Sequence, residues 1–217
     1  MVLCFCLPAL QGCTALTPPS LFKLGPSISQ AVIVHPVAKN SIHAGLSAWQ
    51  KTHAGQGAGN GGWRRIFFVR ALIGKNGLAD PGRKKEGDGK TPWGVYPLGP
   101  AFGYAPSAVT GLPYRQATDI DFWVDDPRSM QYNQWVRGTP RAHSFERLKR
   151  PDDLYRYGVV IGYNMHPVIP GAGSAIFMHI WRGGDSPTAG CVALSQRNLR
   201  RILRWLNQRD QPVIILE

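Results

Sequence analysis

The chain reads as a mainly β protein with one helix packed on the sheet near its C-terminal end. Two observations carry that expectation. Glycine (25) and proline (18) are both frequent among the 217 residues, and long helical periodicities are few. Chains of that kind build sheets joined by many turns. Apolar residues also gather in short runs rich in Val, Ile and Phe, and only one stretch, after residue 195, switches to helical spacing. With 43% hydrophobic residues, the length suffices for one sizeable core.

Taken in order, residues 1–16 (MVLCFCLPALQGCTAL) form an uncharged apolar run of the length of a secretory signal core, followed by Thr17-Pro18-Pro19-Ser20. Leu10-Gln11-Gly12-Cys13 resembles a bacterial lipobox, which would make Cys13 a lipid-anchored first residue. The expectation is a leader and linker over residues 1–26, a single domain over 27–217, and a place in the cell envelope or periplasm. Export would remove or modify Cys4, Cys6 and Cys13 and leave Cys191 as the sole thiol. An oxidising compartment disfavours idle thiols.

Within the domain, residues 27–38 hold a first strand centred on Val32, Ile33 and Val34, and residues 46–51 pair with the strand at 63–73 across a Gly-rich turn at 55–62. A charged loop at 80–90 leads into a short strand at 91–98. Its Gly89-Lys90-Thr91 is not a phosphate-binding loop: Lys84 stands where the first glycine belongs, and Pro92 blocks the helix. Residues 102–104 read as irregular. Strands follow at 120–124, 157–163 and 174–181. Asp125 and Asp126 lack neighbours for a metal site, so no metal and no cofactor are expected. Ser195 caps a helix over about residues 196–207, with Leu199, Ile202, Leu203 and Leu206 on one face. Arg197, Arg200, Arg201 and Arg204 take the other faces and are read as solvated. Pro212 precedes a last strand, VIIL.

The formal charge of +12 and pI near 10 suit an anionic partner of any of three kinds: nucleic acid, membrane or an acidic wall polymer. No internal stretch approaches the roughly eighteen uncharged apolar residues of a membrane span.

The chemistry concentrates at residues 177–194. An apolar strand ends in His179, a Gly/Pro loop follows, and Cys191 begins another apolar run. An isolated thiol near a histidine is either a nucleophile with its base or a buried structural cysteine.

His179 followed by Thr188-Ala189-Gly190-Cys191-Val192 resembles the active-site signature of the YkuD-type L,D-transpeptidases. Further landmarks agree in order: Ile73-Gly74-Lys75-Asn76-Gly77-Leu78, Glu86-Gly87-Asp88-Gly89-Lys90-Thr91-Pro92, Asp125-Asp126-Pro127, Tyr132-Asn133, Tyr163-Asn164 and Gly173-Ser174-Ala175-Ile176-Phe177-Met178-His179. The likeness runs over about residues 60–217. Ala189 stands where most members have histidine, Val192 and Ala193 stand where an arginine is usual, and the His-to-Cys loop is short.

The resemblance implies an L,D-transpeptidase-like β-sandwich or barrel with Cys191 as nucleophile and His179 as its base. It implies attack on the L-to-D bond of a peptidoglycan stem peptide, release of D-alanine and formation of a crosslink. Backbone N–H groups of Ala189, Gly190 and Cys191 would form the oxyanion hole. Thr188, Trp181, Arg182, Lys90 and Thr91 would meet substrate. Asp185 or a backbone carbonyl, with the carbonyl preferred, would orient His179. Stem peptides are the expected partner, and nucleic acid is not. An L,D-carboxypeptidase or a peptidoglycan amidase on the same scaffold is the alternative, and a non-catalytic basic wall-binding protein is a more distant one.

Overall fold

Eight strands close on themselves. The computed structural model describes residues 17–52 and 62–217, so the leader cysteines and nearly all of the turn at 55–62 lie outside the described residues. The strands are β1 (Gln30–Pro36), β2 (His43–Lys51), β3 (Trp63–Leu72), β4 (Gly94–Gly103), β5 (Tyr114–Gln116), β6 (Asp121–Val124), β7 (Trp135–Arg137), β8 (Phe145–Arg147), β9 (Tyr157–Ile161), β10 (Phe177–Ile180), β11 (Val192–Leu194) and β12 (Val213–Leu216). One helix, α1 (Gln196–Trp205), follows β11. The main sheet runs β12-β1-β2-β3-β11-β10-β9-β4, with β5 beside β4, and a further pairing of β12 with β4 closes the ring. Closure gives each of the eight strands a neighbour on both sides, although β3 meets β11 through a single pair, Leu72 with Ala193. Strands β6, β7 and β8 make a separate small sheet in the order β7-β6-β8.

Side-chain alternation sorts the apolar residues into three packed regions. Val32, Val34, Leu46, Val69, Met178, Val192 and Ile214 turn inward, where Leu199, Ile202 and Leu203 of α1 meet them. The outward residues of β1 and β12, among them Ile33 and Ile215, are covered by Leu21, Leu24 and Ile28. That cover explains why both strands are apolar on both faces. It also brings residues 19–23, composition-wise part of the linker, into the packed body: they form a 3-10 turn, Leu21 is buried, and the Ser20 hydroxyl donates to Glu217 at 3.0 Å. The third region lies between the outer wall of β9, β10 and β11 and the small sheet. It holds Phe102, Trp123, Tyr155, Phe177 and Cys191.

Two expectations change. Phe102 and Gly103 are not irregular but end β4, paired to both β9 and β5. Gly158 allows this, because a Cβ there would stand 2.3 Å from the Phe102 ring. The helix stops at Trp205 rather than near residue 207. Gln30 reaches from β1 to end it: its Nε2 donates to Trp205 O at 2.8 Å and its Oε1 accepts Asn207 N–H at 2.8 Å. The expected cap is present, with Asn198 N–H donating to Ser195 Oγ at 3.3 Å.

Candidate active site

β10 and β11 are parallel neighbours, with Met178 opposite Val192 and His179 opposite Ala193. By alternation, Phe177, His179, Cys191 and Ala193 project from the outer face of this wall while Met178 and Val192 enter the barrel. Cys191 and His179 therefore share one face at diagonal positions. Both line a cleft of about 380 Å³ between the barrel wall, the small sheet and the loop at 181–190.

Both groups are nearly buried, at 7% and 6% exposure. Burial pushes the Cys191 thiol up to about 12, helped by the nearby Glu146 charge and opposed by the Phe177 N–H. Burial pushes His179 down to about 4. The resting pair is therefore neutral. The thiol donates to Ala175 O at 3.2 Å and accepts Phe177 N–H at 3.3 Å. The His179 Nδ1 lies 2.7 Å from Ile180 O. A carbonyl only accepts, so Nδ1 carries the hydrogen and Nε2 keeps a free lone pair. Asp185 is elsewhere, exposed and paired with Arg70 at 2.6 Å. The Tyr155 ring packs edge-on against His179 with centroids 5.2 Å apart, and its hydroxyl donates to Glu146 Oε2 at 2.6 Å.

The turn before the cysteine is tied internally. Thr188 Oγ1 donates to Cys191 O at 2.7 Å and accepts Gly190 N–H at 3.1 Å. That bond occupies Gly190 N–H, whereas Ala189 and Cys191 N–H have no such partner among the described residues. Gly190, at φ 153°, leaves no room for a side chain, because a Cβ would stand 2.9 Å from Lys90 O.

Of the residues expected to meet substrate, Thr188, Trp181 and Arg182 line the cleft. Lys90 and Thr91 do not. Thr91 is fully buried with its hydroxyl accepting Gly74 N–H at 2.9 Å, and Lys90 lines a separate hollow with Asp80 and Trp93 while its carbonyl abuts Gly190. Lys75, Lys84 and Arg150 line the cleft instead, with Glu86, Asp125 and Glu146.

Sequence reasoning did not assign a role to Asn133, whose side chain is saturated. Its Oδ1 accepts Trp123 Nε1–H at 2.9 Å and Ala175 N–H at 3.1 Å, and its Nδ2 donates to Tyr163 O and Asn164 O at 3.1 and 2.7 Å. Asn133 thus fixes Ala175, whose carbonyl receives the thiol. The pair Tyr132-Asn133 was a visible landmark; its work was not visible. Among the described residues no group of three His, Cys, Asp or Glu side chains is placed to hold a metal ion.

A closed β-barrel whose outer wall presents a thiol and an imidazole to one cleft is a scaffold suited to acyl transfer. A family model for the YkuD L,D-transpeptidase catalytic domain matches residues 58–215. The chain belongs to that family of transpeptidase-type enzymes, which act on peptidoglycan stem peptides. No curated protein and no solved structure matches it.

Proposed function

We propose that this protein is a peptidoglycan L,D-transpeptidase working through a thioester on Cys191. The observation that carries this reading is the placement of His179. Its Nδ1–H is committed to a carbonyl, and its bare Nε2 faces the cleft that holds the one thiol among the described residues. Cys191 gives its proton to Nε2 as the sulfur attacks the carbonyl of the L-centred residue preceding D-alanine. The N–H groups of Cys191 and Ala189 are the donors for the oxyanion. Collapse breaks the C–N bond, and the leaving amine takes the proton back from His179. An amine of a neighbouring stem then attacks the thioester and releases Cys191.

Because the resting pair is neutral, proton transfer accompanies attack rather than preceding it. The thiol must also leave its bond to Ala175 O to reach the imidazole. Lining groups of both signs, Lys84 and Arg150 with Glu86 and Glu146, suit a peptide that carries both carboxylates and an ammonium. This reading places the protein in the cell envelope, where the polymer is.

Incubation with tetrapeptide-bearing muropeptides, followed by intact-mass analysis, tests the proposal. The expected result is an acyl adduct on Cys191, free D-alanine and crosslinked dimers, all absent in Cys191→Ala. Trimmed monomers without dimers would assign the hydrolytic alternative, and D-alanine release by Cys191→Ala would remove the thioester altogether.

A further inference from the structure

We propose that the outer face of α1, with the shallow groove beside it, docks onto an anionic phospholipid surface. This rests on its own observations and not on the reading of the cleft. Arg197, Arg200, Arg201 and Arg204 are all exposed on a ten-residue helix that contains no acidic residue. No carboxylate lies within 4.0 Å of any of them among the described residues. Arg70, Lys149, Arg150 and Arg156 do have such partners while Arg64, Arg65 and Arg147 do not, so what sets α1 apart is four such cations on one ten-residue helix.

Folding alone does not favour this arrangement. Residues 197/200 and 201/204 are three apart, and 197/201 and 200/204 four apart, so every neighbouring pair on the face is repulsive. Arg197 also sits in the first turn, where the helix dipole favours an anion. Two of the four are pinned rather than free: the Arg201 Cζ lies 4.4 Å from the Phe67 ring centroid and the Arg200 Cζ 5.8 Å from that of Tyr157. A face of mutually repelling cations, two of them held in place, is stabilised by an external polyanion.

The groove selects the kind of polyanion. It encloses about 260 Å³ between α1 and residues 105–109, with Arg200 and Arg204 one turn apart on its rim and Leu203 and Val109 among its lining. Val109 is 75% exposed. Guanidinium groups beside exposed aliphatic surface match a phosphate headgroup next to the start of an acyl chain. Nucleic acid would call for exposed aromatic platforms or base-reading side chains. The groove's one aromatic, Tyr157, is half-buried with the Arg200 guanidinium over its ring, and Trp205 packs against Phe67, so neither is a free stacking platform. The helix packs on the inner side of the wall whose outer side carries Cys191 and His179, so a docked bilayer leaves the cleft open.

Co-sedimentation of the full chain with phosphatidylcholine vesicles, with and without phosphatidylglycerol, tests this. Binding should require the anionic lipid and weaken with salt. Arg200→Ala/Arg204→Ala should weaken it roughly 30-fold, at about 5-fold per arginine near the surface, and Arg200→Lys/Arg204→Lys should largely restore it. Arg197→Glu should weaken binding while raising Tm, which separates lost docking from lost fold. Equal binding to neutral vesicles, or undiminished binding by the Ala pair, would overturn the proposal. So would displacement from vesicles by duplex DNA at equal phosphate concentration, which would reassign the face to nucleic acid. D-alanine release from soluble muropeptides should be unchanged in all these variants, so failure here leaves the reading of the cleft standing.

Discussion

At Cys191 and His179 the same burial acts on two groups in opposite directions, and both outcomes favour the neutral form. A thiol held near 12 exposes almost no thiolate at neutral pH. Iodoacetamide should therefore label Cys191 at least roughly tenfold more slowly than free cysteine at pH 7.5; labelling at the free rate would indicate a preformed ion pair. The imidazole leaves a signature in stability. The unfolded chain protonates this histidine near 6.5 and the native chain only near 4, so between those values the unfolded state binds more protons. Stability should fall as pH drops from 6.5 to 4, by up to about 3 kcal/mol, and the Tm of His179→Gln should show a shallower slope there. Sulfur and imidazole were legible because their chemistry is written in residue type. The carbonyls of Ile180 and Ala175 that orient them were not, since every residue has one. Lys90 and Thr91 misled for a related reason: a polar residue near a signature faces either way, and Thr91 faces the backbone.

The segments around Cys191 are joined by side chains that work across long sequence distances. Asn133 links the end of β6, the approach to β10 and the turn after β9 in one saturated set of four bonds. Asn133→Ala would strand the Trp123 and Ala175 N–H groups, at about 1–3 kcal/mol each. Urea denaturation should show a loss of roughly 2–6 kcal/mol, and D-alanine release should fall with it as Ala175 loosens; unchanged stability would mean the network contributes nothing. Gln30 plays a comparable part for α1. The amphipathic face and the Ser195 cap could be read from neighbours in sequence, whereas the stop at Trp205 depends on an amide about 175 residues earlier. Local signals mark where elements begin; tertiary partners often decide where they end.

For the molecule as a whole, the mainly β class was readable from composition and from short apolar runs, but closure was not. The difference lies in β12, which pairs in parallel with β1 and antiparallel with β4. The run VIIL shows only that a strand is buried on both faces. Deleting residues 212–217 removes both pairings and opens the ring at two edges. The truncated chain should lose cooperative unfolding and collect in the insoluble fraction; a sharp, reversible transition would show that the barrel closes without it.

The parallel pairing of β10 and β11 has a consequence for how such a cleft can change. Parallel neighbours need a return path, and here no helix supplies it: residues 181–190 make the journey along the rim, moored by Arg70 and by the Lys75 N–H to Thr188 O bond. The strand ladder fixes His179, and the tied turn at 188–190 fixes Cys191, so only the length and composition of residues 182–187 are uncoupled from the positions of sulfur and imidazole. One wall of the cleft is thus a replaceable panel on a rigid frame. The shape of the cleft can be rebuilt there by insertion or deletion while sulfur and imidazole stay in register.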